Sequence, residues 1–349
     1  MLPHKVLFLR SNGVEHMTKN NVLAILMQSK DFVSGEAISR QLGLSRTAVN
    51  MAVKTLRAEG YQIESVTNRG YMLINAPDVL TRGALMGYLP GRRMNNVECF
   101  DVVDSTNHEM MKLAVDGAPN GQVIIANQQK RGKGRRGRTF SSLAGQGIYM
   151  SYLMIPPYEV KRRIASSGNN SMWSAITSWT AVTVAKTIYN LCGVRPDIKW
   201  VNDLYMNGRK ICGILTQTTF DAEVSEIQNI IIGIGINVHE DYEDFPEEIR
   251  DIAGSIWSET GSRIIRAELA SELIHALDEM CERWPGDMEE YLDNYRRWNI
   301  VTGRDVMVNY GDNSEQVHVD AIGDDFSLIV TDQKGEQKHL ICGDVSLKL

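Results

Sequence analysis

The seven positions from Ile230 to Ile236 hold five isoleucines and two glycines, with no polar side chain among them. An apolar, β-branched run of that length reads as a buried strand, so the chain must build a sheet that covers it. It is the longest apolar candidate in the sequence and falls far short of the ~18 residues a membrane-spanning helix needs. No membrane is expected.

The 349 residues exceed what one hydrophobic core usually serves, so two or three domains are expected. A hydrophobic content of 43% with 23% charged residues describes an ordinary folded protein. Cys99, Cys192, Cys212, Cys281 and Cys342 are scattered, without a CxxC pair or a histidine at zinc-ligand spacing. Isolated thiols argue for a reducing compartment and against a disulfide framework. Among the first ten residues only Val6 to Leu9 is an apolar run, too short for a signal-peptide core. The cytoplasm is therefore expected. Residues 1–16 lack periodicity, read as an extension, and are assigned no function.

Net charge is -6, which alone would speak against nucleic acid. Its distribution says otherwise. Residues 1–76 carry nine Lys and Arg against five Asp and Glu, and the remainder 28 against 38. A basic head on an acidic body fits a protein in which only one part approaches phosphates. In that head, Val22, Leu23, Leu26 and Met27 recur at helical spacing. Ser34 and Ser45 are good N-caps, and Gly43 suits the turn between the two helices they start. On the second, Ala48, Val49, Ala52, Val53 and Leu56 form an inner face, leaving Arg46, Thr47, Asn50, Lys54 and Arg57 outward. Strands over Tyr61 to Val66 and Tyr71 to Ile74, with Arg69 at the tip between them, complete a winged helix-turn-helix. A helical protein-interaction domain would share the hydrophobic pattern. The polar and basic outer face favours DNA, with Ser45, Arg46, Thr47, Asn50, Lys54, Arg57 and Arg69 as contacts.

After a linker at residues 75–82, helix and strand patterns alternate. Strands are expected at Val97 to Val103, Val123 to Ala126, Ile148 to Met154, Ile211 to Thr216 and Ile227 to Ile236. Helices are expected at Asn107 to Val115, capped by Ser105-Thr106, and at Ser174 to Leu191, Ala267 to Trp284 and Tyr291 to Trp298. Short alternating strands at Asp305 to Asn309, Gln316 to Ile322 and Ser327 to Thr331 suggest a small SH3-like β-barrel.

Four segments carry chemistry. The run Gly132-Lys133-Gly134-Arg135-Arg136-Gly137-Arg138 combines close backbone approach with fixed positive charge, at a strand end. By itself it suits a nucleic acid as well as a small anion, and it lacks the order of a P-loop. Asp104-Ser105-Thr106-Asn107 opens a helix, a ready anion site or an ordinary cap. Lys199-Trp200-Val201-Asn202-Asp203, followed by Lys210 entering a strand, offers a carboxylate and amide for a divalent cation and cations for phosphates. Asn237 ends the isoleucine strand. The acidic stretch from His239 to Asp251 reads either as a loop beside a nucleotide or as a solvated loop.

In order and spacing these segments resemble biotin protein ligases, whose pattern runs DSTN, Q-x-x-GRGRxGR, KWPND with a downstream KxxGIL, and GxGxN. The winged helix in front is similar to the bifunctional form that also represses biotin-synthesis genes. The resemblance implies an α+β multidomain protein. Its parts are a winged helix-turn-helix (17–76), a linker and domain start (77–96), and a mixed α/β catalytic domain of the class II aminoacyl-tRNA synthetase and biotin ligase type (97–299). An SH3-like domain (300–349) follows. It also implies two steps: biotin and ATP give biotinyl-5′-adenylate, which acylates a lysine on the biotin carboxyl carrier protein of acetyl-CoA carboxylase or another biotin-dependent carboxylase. Operator DNA and a homodimer in the adenylate-bound state are the further partners it implies.

By the same resemblance, Ser105, Thr106, Asn107 and Gln129 are biotin-binding positions, with Lys133, Gly134 and Arg135 in a loop that closes over biotin and the adenylate. Lys210 corresponds to the lysine that contacts carboxylate and phosphate, and it and Arg135 are the catalytic candidates. Asn202, Asp203, Asn237 and Phe140 fall on the ATP side, with Asp203 the candidate for Mg²⁺ carried by ATP. Lys133 and Val201 depart from the pattern, where Arg and Pro stand in the family, and Cys212 replaces a small residue. The alternatives are a DNA-binding biotin sensor without turnover and a lipoate-type ligase; retention of Arg135, Asn202, Asp203 and Lys210 argues against the first.

Overall fold

Two serines start the helices of the N-terminal region as their hydroxyls allow. Ser34 Oγ accepts from the Ala37 amide and Ser45 Oγ from the Ala48 amide, each at 3.1 Å, so each helix begins with one of its orphan donors satisfied. The computed structural model describes residues 18–167, 171–221, 226–310, 313–341 and 343–346, so the 1–16 extension lies outside the described residues. The chain divides into two compact units, residues 1–99 and 100–349.

In the first unit, α1 (18–28), α2 (Gly35–Leu42) and α3 (Arg46–Ala58) surround a core of Val22, Leu26, Ile38, Val49, Val53 and Leu56. Gly43 ends α2 in the left-handed region at φ 65°. Strands β1 (Gln62–Val66) and β2 (Gly70–Asn75) form an antiparallel hairpin. Its second strand is tied to Val33 by a reciprocal pair of backbone hydrogen bonds with Tyr71, at 2.8 and 2.9 Å. A Cβ on Gly70 would lie 2.1 Å from the Val33 carbonyl oxygen, so glycine is obligatory there. The expected winged helix-turn-helix is present, and a short helix α4 (Arg82–Leu85) follows it.

Among the described residues of the second unit, the strands form two sheets. The chain of the first runs through β3 (Val97–Val103), α5 (Thr106–Val115), β4 (Val123–Gln129), β5 (Gly147–Met154), α6 (Tyr158–Ser167) and α7 (Ser171–Cys192). Then come β6 (Asp197–Lys199), β7 (Asp203–Met206), β8 (Arg209–Asp221) and β9 (Glu226–Asn237). The sheet order is β3-β4-β5-β9-β8-β7-β6, which puts the isoleucine strand at its centre. Helices α8 (Ile256–Thr260), α9 (Arg266–Arg283) and α10 (Met288–Trp298) complete this region. Tyr152 hydrogen-bonds Asp278 of α9, while Leu153 and Ile231 pack on Met110 of α5. Successive residues of a strand face opposite ways, so α9 and α5 cover opposite faces of the sheet.

The expected small β-barrel takes the form of a five-stranded antiparallel sheet, ordered β13-β12-β11-β10-β14. It comprises β10 (Asp305–Tyr310), β11 (Asn313–Ile322), β12 (Leu328–Asp332), β13 (Gln337–Leu340) and β14 (Asp344–Ser346). It packs on the larger sheet through the Lys199–Asp203 segment, where Trp200 Nε1 donates to the Phe326 carbonyl at 2.9 Å; Tyr295 of α10 holds the same segment, its Oη donating to the Val201 carbonyl at 3.1 Å. Sequence periodicity missed β6, β7, β13 and β14, each four residues or fewer and too short to show a period.

Candidate active site

The isoleucine strand explains itself through its neighbours. In register, Gly233 stands opposite Ser151 of β5 and Leu215 of β8, and Gly235 opposite Tyr149 and Gly213. Cross-strand partners share a face, so Gly213, Gly233 and Gly235 form a row without side chains on the α5 side. The row is filled from above. A Cβ on Gly233 would lie 2.3 Å from Asn107 Oδ1, and one on Gly235 2.6 Å from the Phe140 ring.

An inner cavity of about 30 Å³ sits on this row, closed by Ser105, Thr106, Asn107, Gln129, Lys133 and Phe140. Its polar end is a connected network. Thr106 donates to Gln129 Oε1 through both its amide (2.9 Å) and its hydroxyl (3.2 Å). Asn107 Nδ2 donates to the Leu215 carbonyl and to Gln217 Oε1. Ser151 Oγ lies 2.8 Å from Thr106 Oγ1 and 2.6 Å from Asn107 Oδ1. Gln129 Nε2 donates to Ser142 Oγ at 2.9 Å. One expectation needs correcting: Ser105 precedes α5 but makes no side-chain cap bond, while Gln129 accepts from the first amide of the helix. Ser142, Ser151 and Gln217 were missed as members. Ser151 was findable, as the one small polar side chain among the large apolar and aromatic ones of β5.

A second, outer cavity of about 380 Å³ shares Phe140 as a wall. Lys210 lines it, and its ammonium stands over Gly213, where a Cβ would be 3.3 Å from Nζ. Since Gly213 lines the inner cavity, Lys210 marks the seam between the two. Its Nζ is 2.6 Å from Asp203 Oδ1. Lys199 and Arg138 add positive charge to the outer cavity. Burial holds the Lys199 amine below its ordinary value, against the pull of Asp203. Asn237 lines the same cavity and donates to the Gly254 carbonyl at 2.9 Å. The stretch after Asn237 contributes the apolar lining residues Phe245, Ile249 and Ile252. Glu240, in the same stretch, is buried, and burial pushes its carboxyl up to about 7 despite His239 and Arg266 nearby.

The glycine-arginine loop is held by contacts the sequence did not reveal. Arg135 Nη1 donates to Asn202 Oδ1 at 3.2 Å and to the Gly343 carbonyl at 3.0 Å. Asn202 Nδ2 in turn donates to the Ile214 carbonyl. Gly134, Arg135 and Asn202 lie outside the linings of these two cavities, and the hydrogen bond between Arg135 and Asn202 braces the loop. Among the described residues, no three or more His, Cys, Asp or Glu gather as a metal site. Asp203 is one of two carboxylates, with Asp344, that line this cationic, nucleotide-sized cavity, a donor set that fits Mg²⁺ delivered with a nucleotide.

In the N-terminal unit the seven candidate contacts differ in freedom. Thr47 and Lys54 are exposed on α3. Arg46 pairs with Glu36 at 2.5 Å yet remains largely exposed, and Asn50 donates to Tyr71 Oη. Arg69 lies over the Phe32 ring at 4.2 Å and pairs with Asp31. Ser45 is spent as a cap, and Arg57 clamps α3 to β1 through the Ile63 carbonyl and Ser65 Oγ. Exposed Met51 on the same helix was not anticipated.

The profile of the biotin/lipoate A/B protein ligase family matches residues 99–237. Over 245 residues, 70% of this chain and 72% of the relative, identity reaches 37% with the bifunctional ligase/repressor BirA of Bacillus spizizenii. The chain belongs to the biotin protein ligase family. An HTH-domain profile matches residues 18–72, ahead of the ligase region. The bifunctional ligase/repressor BirA of Escherichia coli is 28% identical over 93% of this chain and 96% of its own length. A solved biotin protein ligase from Aquifex aeolicus, in complex with biotin and ATP, shares the ligase fold at a TM-score of 0.59. It covers 72% of this chain and 97% of its own, at 21% identity. Within this biotin protein ligase family chain, no described helix is long and apolar enough to cross a membrane.

Proposed function

We propose that the chain activates biotin with ATP to biotinyl-5′-adenylate and transfers the biotinyl group to a lysine of a carboxylase carrier domain. Its winged helix makes it also a biotin-responsive repressor. The observation that carries the ligase reading is the position of Lys210, whose ammonium stands where a polar-ended inner cavity meets a cationic outer one. A carboxylate from one side and an α-phosphate from the other repel each other; a fixed cation at the seam lowers that repulsion as they approach. The inner network of Thr106, Asn107, Gln129 and Ser151 suits a ureido ring, which both donates and accepts. A dithiolane ring would leave those groups unpaired, which weighs against lipoate. The outer cavity suits the nucleotide, with Lys199 and Arg138 toward phosphates and Phe245, Ile249 and Ile252 toward the base. Mg²⁺ arriving with ATP would be held by Asp203 and would neutralise phosphate charge.

Incubation with ATP, Mg²⁺, an acceptor carrier domain and either biotin or lipoate tests this. Biotin transfer is expected; its absence would overturn the ligase reading, and lipoate transfer would replace it. Lys210→Ala is expected to lower the adenylation rate by about 10²–10³ without unfolding the protein. For the repressor, the shift of a biotin-gene operator is expected to strengthen with ATP plus biotin, through adenylate-promoted dimerisation. A monomer that binds operator equally with and without adenylate would exclude that coupling.

A further inference from the structure

Three arginines of the glycine-rich loop converge on a single carboxylate from the end of the chain. Arg138 Nη2 lies 3.0 Å from Asp344 Oδ2, Arg135 Nη1 3.6 Å from Oδ1, and Arg136 Nε 3.9 Å from Oδ2. Asp344 is set in a strand rather than a free tail: it pairs with Asn309 of β10, and the next residue, Val345, is buried against Val308. Its side chain is only 13% exposed and borders the outer cavity. The second acid of that cavity, Asp203, is taken by Lys210, so the two carboxylates divide the cations between them.

The loop needs such a partner. Gly134 and Gly137 leave it pliable, and Arg136 is held in the left-handed region at φ 54°. Guanidinium groups within four residues repel one another, and nothing in the loop's own sequence is acidic. One carboxylate among three arginines removes part of that repulsion yet leaves the cluster cationic, still able to receive phosphates. Arg138 is the outermost, 68% exposed, and is the one placed to exchange the carboxylate for a phosphate.

We propose that Asp344 is a positioning residue of the adenylation site, a counter-anion in the C-terminal sheet that clasps the glycine-arginine loop over the outer cavity. The proposal rests on the ligase reading for its kinetic consequence, but the clasp itself exists without substrates.

The test compares full-length Asp344→Asn and Asp344→Glu with the parent. In the ligand-free protein, trypsin cleavage after Arg135, Arg136 and Arg138, followed by mass spectrometry, is expected to accelerate about tenfold in the amide variant and little in the glutamate variant. With substrates, Asp344→Asn is expected to raise the ATP KM about tenfold while the biotin KM stays within about twofold. Pyrophosphate released per carrier biotinylated is expected to rise, as adenylate escapes an unlatched loop. Unchanged cleavage in Asp344→Asn overturns the clasp. Faster cleavage with an unchanged ATP KM overturns the positioning role. If the amide variant does not fold, Asp344→Glu decides: parent-like protection and ATP KM support the clasp, and cleavage as fast as in the urea-unfolded chain overturns it. Absence of pyrophosphate from every version would sink the ligase reading alone, leaving the clasp to the cleavage result.

Discussion

Gly233 and Gly235 are each fitted by a different side chain, Asn107 and Phe140, and this makes single methyl groups informative. Gly233→Ala must displace the Asn107 amide and with it the contacts to Ser151 and Leu215. The biotin KM is expected to rise by about tenfold or more, with the ATP KM less affected, in steady-state pyrophosphate assays. Equal change in both would show that the inner cavity is not the biotin site. Glu240 gives a pH signature. Its carboxyl lies near 7 when folded against an ordinary 4.5, mainly through burial, with Arg266 and His239 opposing and Tyr149 nearby. An acid raised on folding binds its proton more tightly in the folded state. Its stability contribution is therefore full below about 4.5 and is lost as pH rises through about 7. Glu240→Gln, which cannot ionise, should melt closer to the parent at pH 5 and above it at pH 8; a difference in Tm that does not vary with pH would refute the assignment.

At the scale of elements, α3 does two jobs with interleaved residues. Val49, Val53 and Leu56 are buried, and truncating Leu56 to Ala is expected to cost the first unit about 2–5 kcal/mol in urea denaturation. On the outer face, Arg57 and Lys54 look alike in sequence but differ in attachment. Arg57→Ala loses the clamp on β1, so it should lower the denaturation midpoint and weaken operator binding together. Lys54→Ala should weaken DNA binding and shallow its salt dependence with stability unchanged. The helix-turn-helix was legible because caps, turns and helical spacing are local. Short strands were not: β6 and β7 exist as a hairpin because β8 pairs with β7, and β14 because β10 offers it an edge.

Across the whole molecule the basic head and acidic body assign the two activities to different surfaces. Arg46→Ala combined with Arg69→Ala is expected to abolish the operator shift while carrier biotinylation stays within about twofold. Loss of both would mean that the arginines serve the fold rather than DNA. The sequence by itself determined which segments are buried, which are capped and which carry charge, since hydrophobic period, cap residues and Gly-rich turns act over a few residues. It also marked Thr106, Gln129, Lys210 and Asn237 as site candidates through ordered motifs. Only the tertiary structure decided which of these meet. Sheet register puts glycines beneath Asn107 and Phe140, a hydrogen bond ties Asn202 to Arg135, and a strand more than 200 residues away supplies the acid for the loop. Such pairings depend on where distant strands align, and no local pattern records that.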